Sequence, residues 1–281
     1  MFELVLDVFL QTLEVTGVVF LMMVLVDFFD VRFREKIQSV MHNSTIGEHI
    51  STSLLGIVPG CAGSYVNVSL YMHGIVSIGA IAAGMIATSG DEAFVMLAAF
   101  PLEAIVLFAI LFLISVPAGM FFNYLVRKFN YTQRNKCQLA EIHPQDKAHN
   151  LNHYVRVHIY QHIVKRHLPR IFLWTFFSFL LIQIGFQYFD IQSFVSNHMG
   201  WLLFAAALIG ILPESGPHLI FISLFAKGAA PFSILLASSI AQDGHGMLPL
   251  LSYSLKDSLW IKLYNVLLAL VIGGAAYWAG F

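Results

Sequence analysis

The chain has 281 residues, of which 58% are hydrophobic and only 11% charged, and its mean hydropathy is +0.76. Soluble domains carry about 25% charged residues, so water is excluded as the main solvent of this fold. A net charge of −1 excludes a partner held by a global field, such as nucleic acid, and two distant cysteines, Cys61 and Cys137, exclude a disulfide framework.

Roughly 20 apolar residues cross ~30 Å of hydrocarbon, and four stretches reach that length: 4–26, 102–126, 170–189 and 258–280. The first carries Asp7 and Glu14 and lacks a small-residue cleavage site, which predicts a retained span rather than a signal peptide. Asp7, Gln11 and Glu14 recur at i, i+4 and i+7 on one helical face. That stripe makes Glu14 a candidate proton relay; the plainer alternative is a neutral, hydrogen-bonded Glu14 with Asp7 near the aqueous end. The next apolar region is interrupted at Pro59-Gly60-Cys61-Ala62-Gly63-Ser64 and again at Thr88-Ser89-Gly90-Asp91-Glu92. After the span 102–126 comes a basic linker, 127–169, with His143, His149, His153, His158, His162 and His167. Its His149/His153 and His158/His162 pairs are i,i+4, a metal-sharing spacing on a helix. Interleaved Arg156, Lys165 and Arg166 instead favour an amphipathic helix lying along anionic lipid. Beyond 170–189 two further interruptions follow, Pro213-Glu214-Ser215-Gly216-Pro217-His218 and Gln242-Asp243-Gly244-His245-Gly246, before the last span.

The chain repeats itself. A shift of 154 positions aligns Gly56-Ile-Val-Pro59 with Gly210-Ile-Leu-Pro213, Gly74 with Gly228 and Gly90 with Gly244. Ser69-Leu70 then matches Ser223-Leu224, and Ile86-Ala87 matches Ile240-Ala241. Apolar composition yields chance leucine and isoleucine matches, but it does not also align the residues that break helices. The span 4–26 ends at Arg32, Arg34 and Lys36, whereas its counterpart, 170–189, begins after Lys165, Arg166 and Arg170. The span 102–126 ends at Arg127 and Lys128, whereas its counterpart begins near Lys256 and Lys262. With basic ends on the cytoplasmic side, the halves run in opposite directions. The predicted fold is an all-α integral membrane protein of two inverted-topology repeats, about five transmembrane segments each, with broken helices at the centre. The repeats are 1–126 and 170–281, joined by a cytoplasmic linker, 127–169.

Unwound backbone is tolerated at membrane depth only where protein or a wet cavity satisfies it, and the ionisable residues gather at these same interruptions. Each intramembrane carboxylate costs at least ~2.5 kcal/mol, so a group of them calls for a compensating positive charge. No Arg or Lys occurs in the four interruptions, and a bound cation is the expected compensation. Asp91, Glu92, Glu214, His218, Asp243 and His245 are therefore candidate metal ligands, with Cys61 as a soft one. Carboxylate plus imidazole suits Mn²⁺, Fe²⁺ or Zn²⁺. Glu214 is expected in unwound chain and His218 in the first turn of the next helix. Ser89 through Glu92 also fits a capping box, with Ser89 at the N-cap and Glu92 at N3. Cys61 also fits as a small residue permitting close helix approach. His73 beside Gly74 and Lys227 beside Gly228 are expected to mark interface turns.

The pieces Leu-Pro-Glu-Ser-Gly-Pro-His (212–218), Gln-Asp-Gly-His-Gly (242–246) and Ser-Gly-Asp-Glu-Ala (89–93) resemble a family of bacterial and archaeal ten-span heavy-metal exporters, also described as manganese transporters. The resemblance covers most of the chain and is most specific in the two interruptions of the second half. It implies ten spans, a multi-pass protein of the cytoplasmic membrane and divalent-metal efflux. On matching motif positions it points to Glu214, His218, Asp243, His245, Asp91 and Glu92.

With no Gly-x-x-x-x-Gly-Lys-Ser/Thr loop in the chain, the expected activity is secondary transport of divalent metal at a midplane site by alternating access. Protons are the expected counter-ion, because these ligands lose protons to bind metal and regain them on release. No cofactor is expected, since the metal is cargo; membrane lipid and a second copy of the chain in a homodimer are the other expected partners. Two alternatives stand beside it: an anion or small-solute transporter using half-helix N-termini, and an intramembrane zinc enzyme built on His218 and His245. The second lacks a His-Glu-x-x-His pair, so the chain is expected not to be an enzyme.

Overall fold

The computed structural model describes residues 4–13, 45–60, 62–72, 74–129, 131, 198–213 and 216–281, with isolated positions within 16–24 and 160–184. Among the described residues the fold is all-helical, without a strand. In chain order the helices are α1 (Leu4–Leu13), α2 (Thr45–Ile57), α3 (Ala62–Met72), α4 (Ile78–Ala87), α5 (Glu92–Ala99) and α6 (Pro101–Lys128). The second half supplies α7 (Met199–Ile209), α8 (Leu219–Ala226), α9 (Phe232–Ala241), α10 (Met247–Tyr253) and α11 (Leu255–Trp278). Short 3₁₀ turns, Gly216–His218 and Gly244–Gly246, lead into α8 and α10.

The 154-residue shift carries α4 onto α9 residue for residue, and it carries the left-handed glycines with it. Gly74 and Gly228 have φ of 67° and 68°, and Gly90 and Gly244 have 55° and 54°. A side chain at these φ values is strained, so glycine is what lets each chain reverse there. Lys227 lies exposed on the turn at Gly228; His73 lies outside the described residues.

Lipid is as apolar as leucine, so helices in a membrane associate through close packing rather than through the hydrophobic effect. The first half shows how the sequence arranges this. A Cβ on Gly79 would stand 2.4 Å from the Gly119 carbonyl oxygen, and one on Gly56 would stand 2.2 Å from that of Gly84. Those glycines bring α4 hard against α6 and α2. Every residue of α4 and most of α9 are buried. In the second half α9 packs in the same manner against α11 and α7. The halves join crosswise, α3 against α10 and α8 against α5.

Ile78–Ala99 (interrupted near Gly90), α6 and α11 are long and apolar enough to cross a membrane. The expected span 102–126 is α6, opened by Pro101 in the first turn, where its missing N–H costs nothing, and closed by Arg127 and Lys128. The last span begins at Leu255, three residues before the expected start, because Ser254 caps it by accepting from the Asp257 amide. Tyr264 on α11 donates to the Ala118 carbonyl and stacks on Phe122, while Tyr131, just past α6, donates to Asp257 in the first turn of α11 at 2.6 Å. The C-terminal end of α6 therefore lies beside the N-terminal end of α11, and the two run antiparallel. Tyr71, at the end of α3, donates to the same carboxylate at 2.9 Å. The Tyr131 hydroxyl is held above the usual phenol range, first by burial and then by that carboxylate. At the far end of α6, about 42 Å away along its axis, Phe100 sits edge-on to Phe225, the position equivalent to Tyr71.

Candidate functional site

Both central interruptions are built by one device. Helix α4 ends when Thr88 turns extended (ψ 129°), and α9 ends when Gln242 does so (ψ 142°); a left-handed glycine two residues on reverses each chain. The two ends meet. The Gln242 side chain donates to the Thr88 carbonyl at 3.1 Å, one repeat position satisfying its own counterpart. Thr88 Oγ1 donates to Gly84 O and lies 3.4 Å from Ser64 Oγ. A Cβ on Gly246 would come within 2.2 Å of Ser64 Cβ, so the 3₁₀ turn of the second half rests on the start of α3 in the first. The other first-half interruption is tied in by the Gly60 amide, which donates to Gly90 O at 2.9 Å.

Around this junction stand four of the expected site residues, all buried: Asp91 (5% exposed), Glu92 (2%), His218 (2%) and Asp243 (0%). Asp91 borders Gly60, where a Cβ would lie 3.9 Å from its Oδ1. His218 closes the 3₁₀ turn ahead of α8, as expected, with Nδ1 2.9 Å from Ser238 Oγ. Its Nε2 has no hydrogen-bond partner among the described residues. The capping box does not form. Helix α5 begins at Glu92 with Asp91 at the N-cap and no side-chain cap bond, and Ser89 Oγ is left without a partner among the described residues. Gly90 causes this, because its left-handed turn removes Ser89 from the position an N-cap must hold. Burial of Glu92 is thus not accounted for by helix capping.

Asp243 receives a partner absent from the sequence reading. Its Oδ1 accepts from Asn265 Nδ2 at 2.8 Å, and Lys262 Nζ stands 2.5 Å from Oδ2. The same ammonium donates to the Gly210 carbonyl at 2.6 Å. Lys262 therefore ties the Gln242–Gly246 interruption to the C-terminal cap of α7, and Asp243 is balanced by a lysine of the chain itself rather than by the expected bound cation. The pairing was hidden because Lys262 and Asp243 lie on different elements 19 positions apart. A signal existed nonetheless: one lysine inside an apolar span, three residues from an asparagine and so on the same helical face.

Among the described residues no three His, Cys, Asp or Glu side chains lie close enough to share one metal ion. Glu214 and Cys61 lie outside the described residues, as does the side chain of His245. Glu14 also lies outside them; Asp7 and Gln11 are exposed, whereas Val8 and Thr12 on the same helix are buried. The linker histidines likewise lie outside the described residues.

Two matches of one family model cover the chain, over residues 1–172 and 145–280; the family is described as "Putative, 10TM heavy-metal exporter". The chain belongs to this family. No curated protein and no solved structure matches it. In this family of ten-span exporters a helical chain with long apolar segments is a multi-span membrane protein. Heavy-metal export is the function class that membership gives, with the metal ion as substrate.

Proposed function

We propose that this exporter moves divalent transition-metal ions of the Mn²⁺, Fe²⁺ and Zn²⁺ class out of the cytoplasm in exchange for protons. The single observation that supports it is the junction where Gln242 meets Thr88, with Asp91, Glu92, His218 and Asp243 buried around it. Carboxylates and a neutral imidazole are the donors such ions prefer. The repeat adds a relation. Gly246 rests on Ser64, and the equivalent positions one repeat away are Glu92 and His218, both buried. Glu214, His245 and Cys61, flanking these residues in sequence, complete the proposed ligand set.

Transport follows from two halves of inverted topology, a reading supported by the antiparallel course of α6 and α11. One half rocks against the other and opens the junction to each side in turn. Carboxylate and imidazole ligands give up protons when metal binds and take them back at release, which couples the two fluxes. The anion alternative draws on Lys262, a buried ammonium at the site, but an anion would have to displace the Asp243 carboxylate already seated on it.

Proteoliposomes loaded with a metal-sensitive dye test the reading. Mn²⁺, Fe²⁺, Zn²⁺ or Co²⁺ flux is expected from the purified protein, falling at least tenfold in Glu92→Gln and in Asp243→Asn. Flux of every metal unchanged in both variants overturns the site, and no metal flux at all overturns the function.

A further inference from the structure

Lys262 is the one buried lysine among the described residues, and its position is unlike that of a structural ion pair. Its ammonium has two acceptors on two separate elements, Asp243 Oδ2 in the Gln242–Gly246 interruption and Gly210 O at the end of α7. Gly210 caps the C-terminal end of α7, where the aligned peptide dipoles gather negative charge. That carbonyl is a seat on which the ammonium can remain after it leaves the carboxylate. Asp243 is held independently by Asn265 through Oδ1, so its carboxylate keeps its direction whichever cation faces Oδ2. The repeat positions of Lys262, Asn265 and Asp243 are Phe108, Leu111 and Ser89, so the arrangement belongs to the second half alone.

Resting on the metal-export reading, we infer that the Lys262 ammonium is the resident cation of the Asp243 site, holding the place of the cargo while the site is empty. A divalent ion and an ammonium repel each other at one carboxylate oxygen, so the two compete for Oδ2. Metal entry moves the Lys262 ammonium off Oδ2 while its bond to Gly210 O holds it nearby, and its return dislodges the metal on the exit side. The step is an exchange of one cation for another. It keeps affinity low enough for release and prevents a bare buried carboxylate from stalling the empty carrier.

The test measures Mn²⁺ and Co²⁺ binding to the purified full-length protein by titration calorimetry, alongside Mn²⁺ flux in proteoliposomes. Lys262→Met removes the competing ammonium, so Mn²⁺ binding is expected to tighten at least tenfold while flux falls at least tenfold. Lys262→Arg, whose planar fork grips a carboxylate through two bonds, is expected to weaken binding at least tenfold. Asp243→Asn/Lys262→Met replaces both charges by neutral groups of similar size and is expected to fold and bind no metal. Should Lys262→Met fail to fold, the arginine variant decides: affinity equal to or tighter than the parent overturns the inference. If the parent exports Mn²⁺, Asp243→Asn abolishes export and the lysine variants bind and transport like the parent, this inference falls and the export reading stands. If the parent neither binds nor moves metal, both fall.

Discussion

Glycine decides more of this molecule than any charged residue, because its missing Cβ sets how near two backbones come. A Cβ on Gly63 would stand 1.8 Å from the Leu55 carbonyl oxygen, an atom fixed inside α2. Gly63→Ala is expected to cost about 1–3 kcal/mol, as overpacking does, and to lower the Tm in detergent; an unchanged Tm would mean the turn between α2 and α3 is looser than described. Gly63 was legible only as part of an interruption, since nothing in sequence tells which glycine faces a backbone oxygen. The buried acids were legible for the opposite reason: an ionisable group in lipid is costly wherever it stands. What sequence could not supply was the partner. Asp243 looked to want an external cation, and Lys262 reaches it from α11.

Element boundaries followed from glycine and proline. The interruptions fall at Thr88–Asp91 and around Gln242 and Asp243, where helix-breaking residues recur one repeat apart. The capping-box reading failed at the same place, because residue spacing alone does not reveal that Gly90 takes a left-handed φ. Pairings between elements were not legible either, and the Tyr71–Asp257–Tyr131 contact is one example. It joins α3, the chain beyond α6 and the start of α11. Lys256 also faces Tyr131, lying 4.4 Å from the ring centroid. Folding raises the Tyr131 hydroxyl above its ordinary value of 10.0. The stabilisation is thus complete below pH 10 and is lost as pH rises through the higher folded value. The Tm of the parent is expected to descend above pH 10, and Tyr131→Phe is expected to make the descent shallower. Superimposable profiles for the two proteins would show that this hydrogen bond adds nothing.

For the molecule as a whole, α6 and α11, which the 154-residue shift aligns, run antiparallel where Tyr264 meets Ala118 and Tyr131 meets Asp257. Leu102 and Leu255, near their starts, are both exposed, and the contacts put them at opposite ends of the bundle. With Cys61 and Cys137 replaced by serine, Leu102→Cys and Leu255→Cys are expected to react with a membrane-impermeant maleimide from opposite sides. Labelling of both from one side would remove the inverted arrangement and alternating access with it. Among the described residues, the first half carries its acids at the start of α5, and the second carries an acid just after α9 and a lysine within α11. Two halves of one architecture have thus come to hold different chemistry at their meeting point.

Sequence by itself determined the solvent, the repeat and the helix breaks. These depend on hydropathy, on periodicity and on which residues forbid regular backbone, all of them properties of neighbours along the chain. Only the tertiary structure decided that Gln242 satisfies Thr88, that Gly246 rests on Ser64 and that Lys262 neutralises Asp243. Those contacts join segments far apart in the chain, and their energies depend on distance and desolvation, which exist only after the helices have packed.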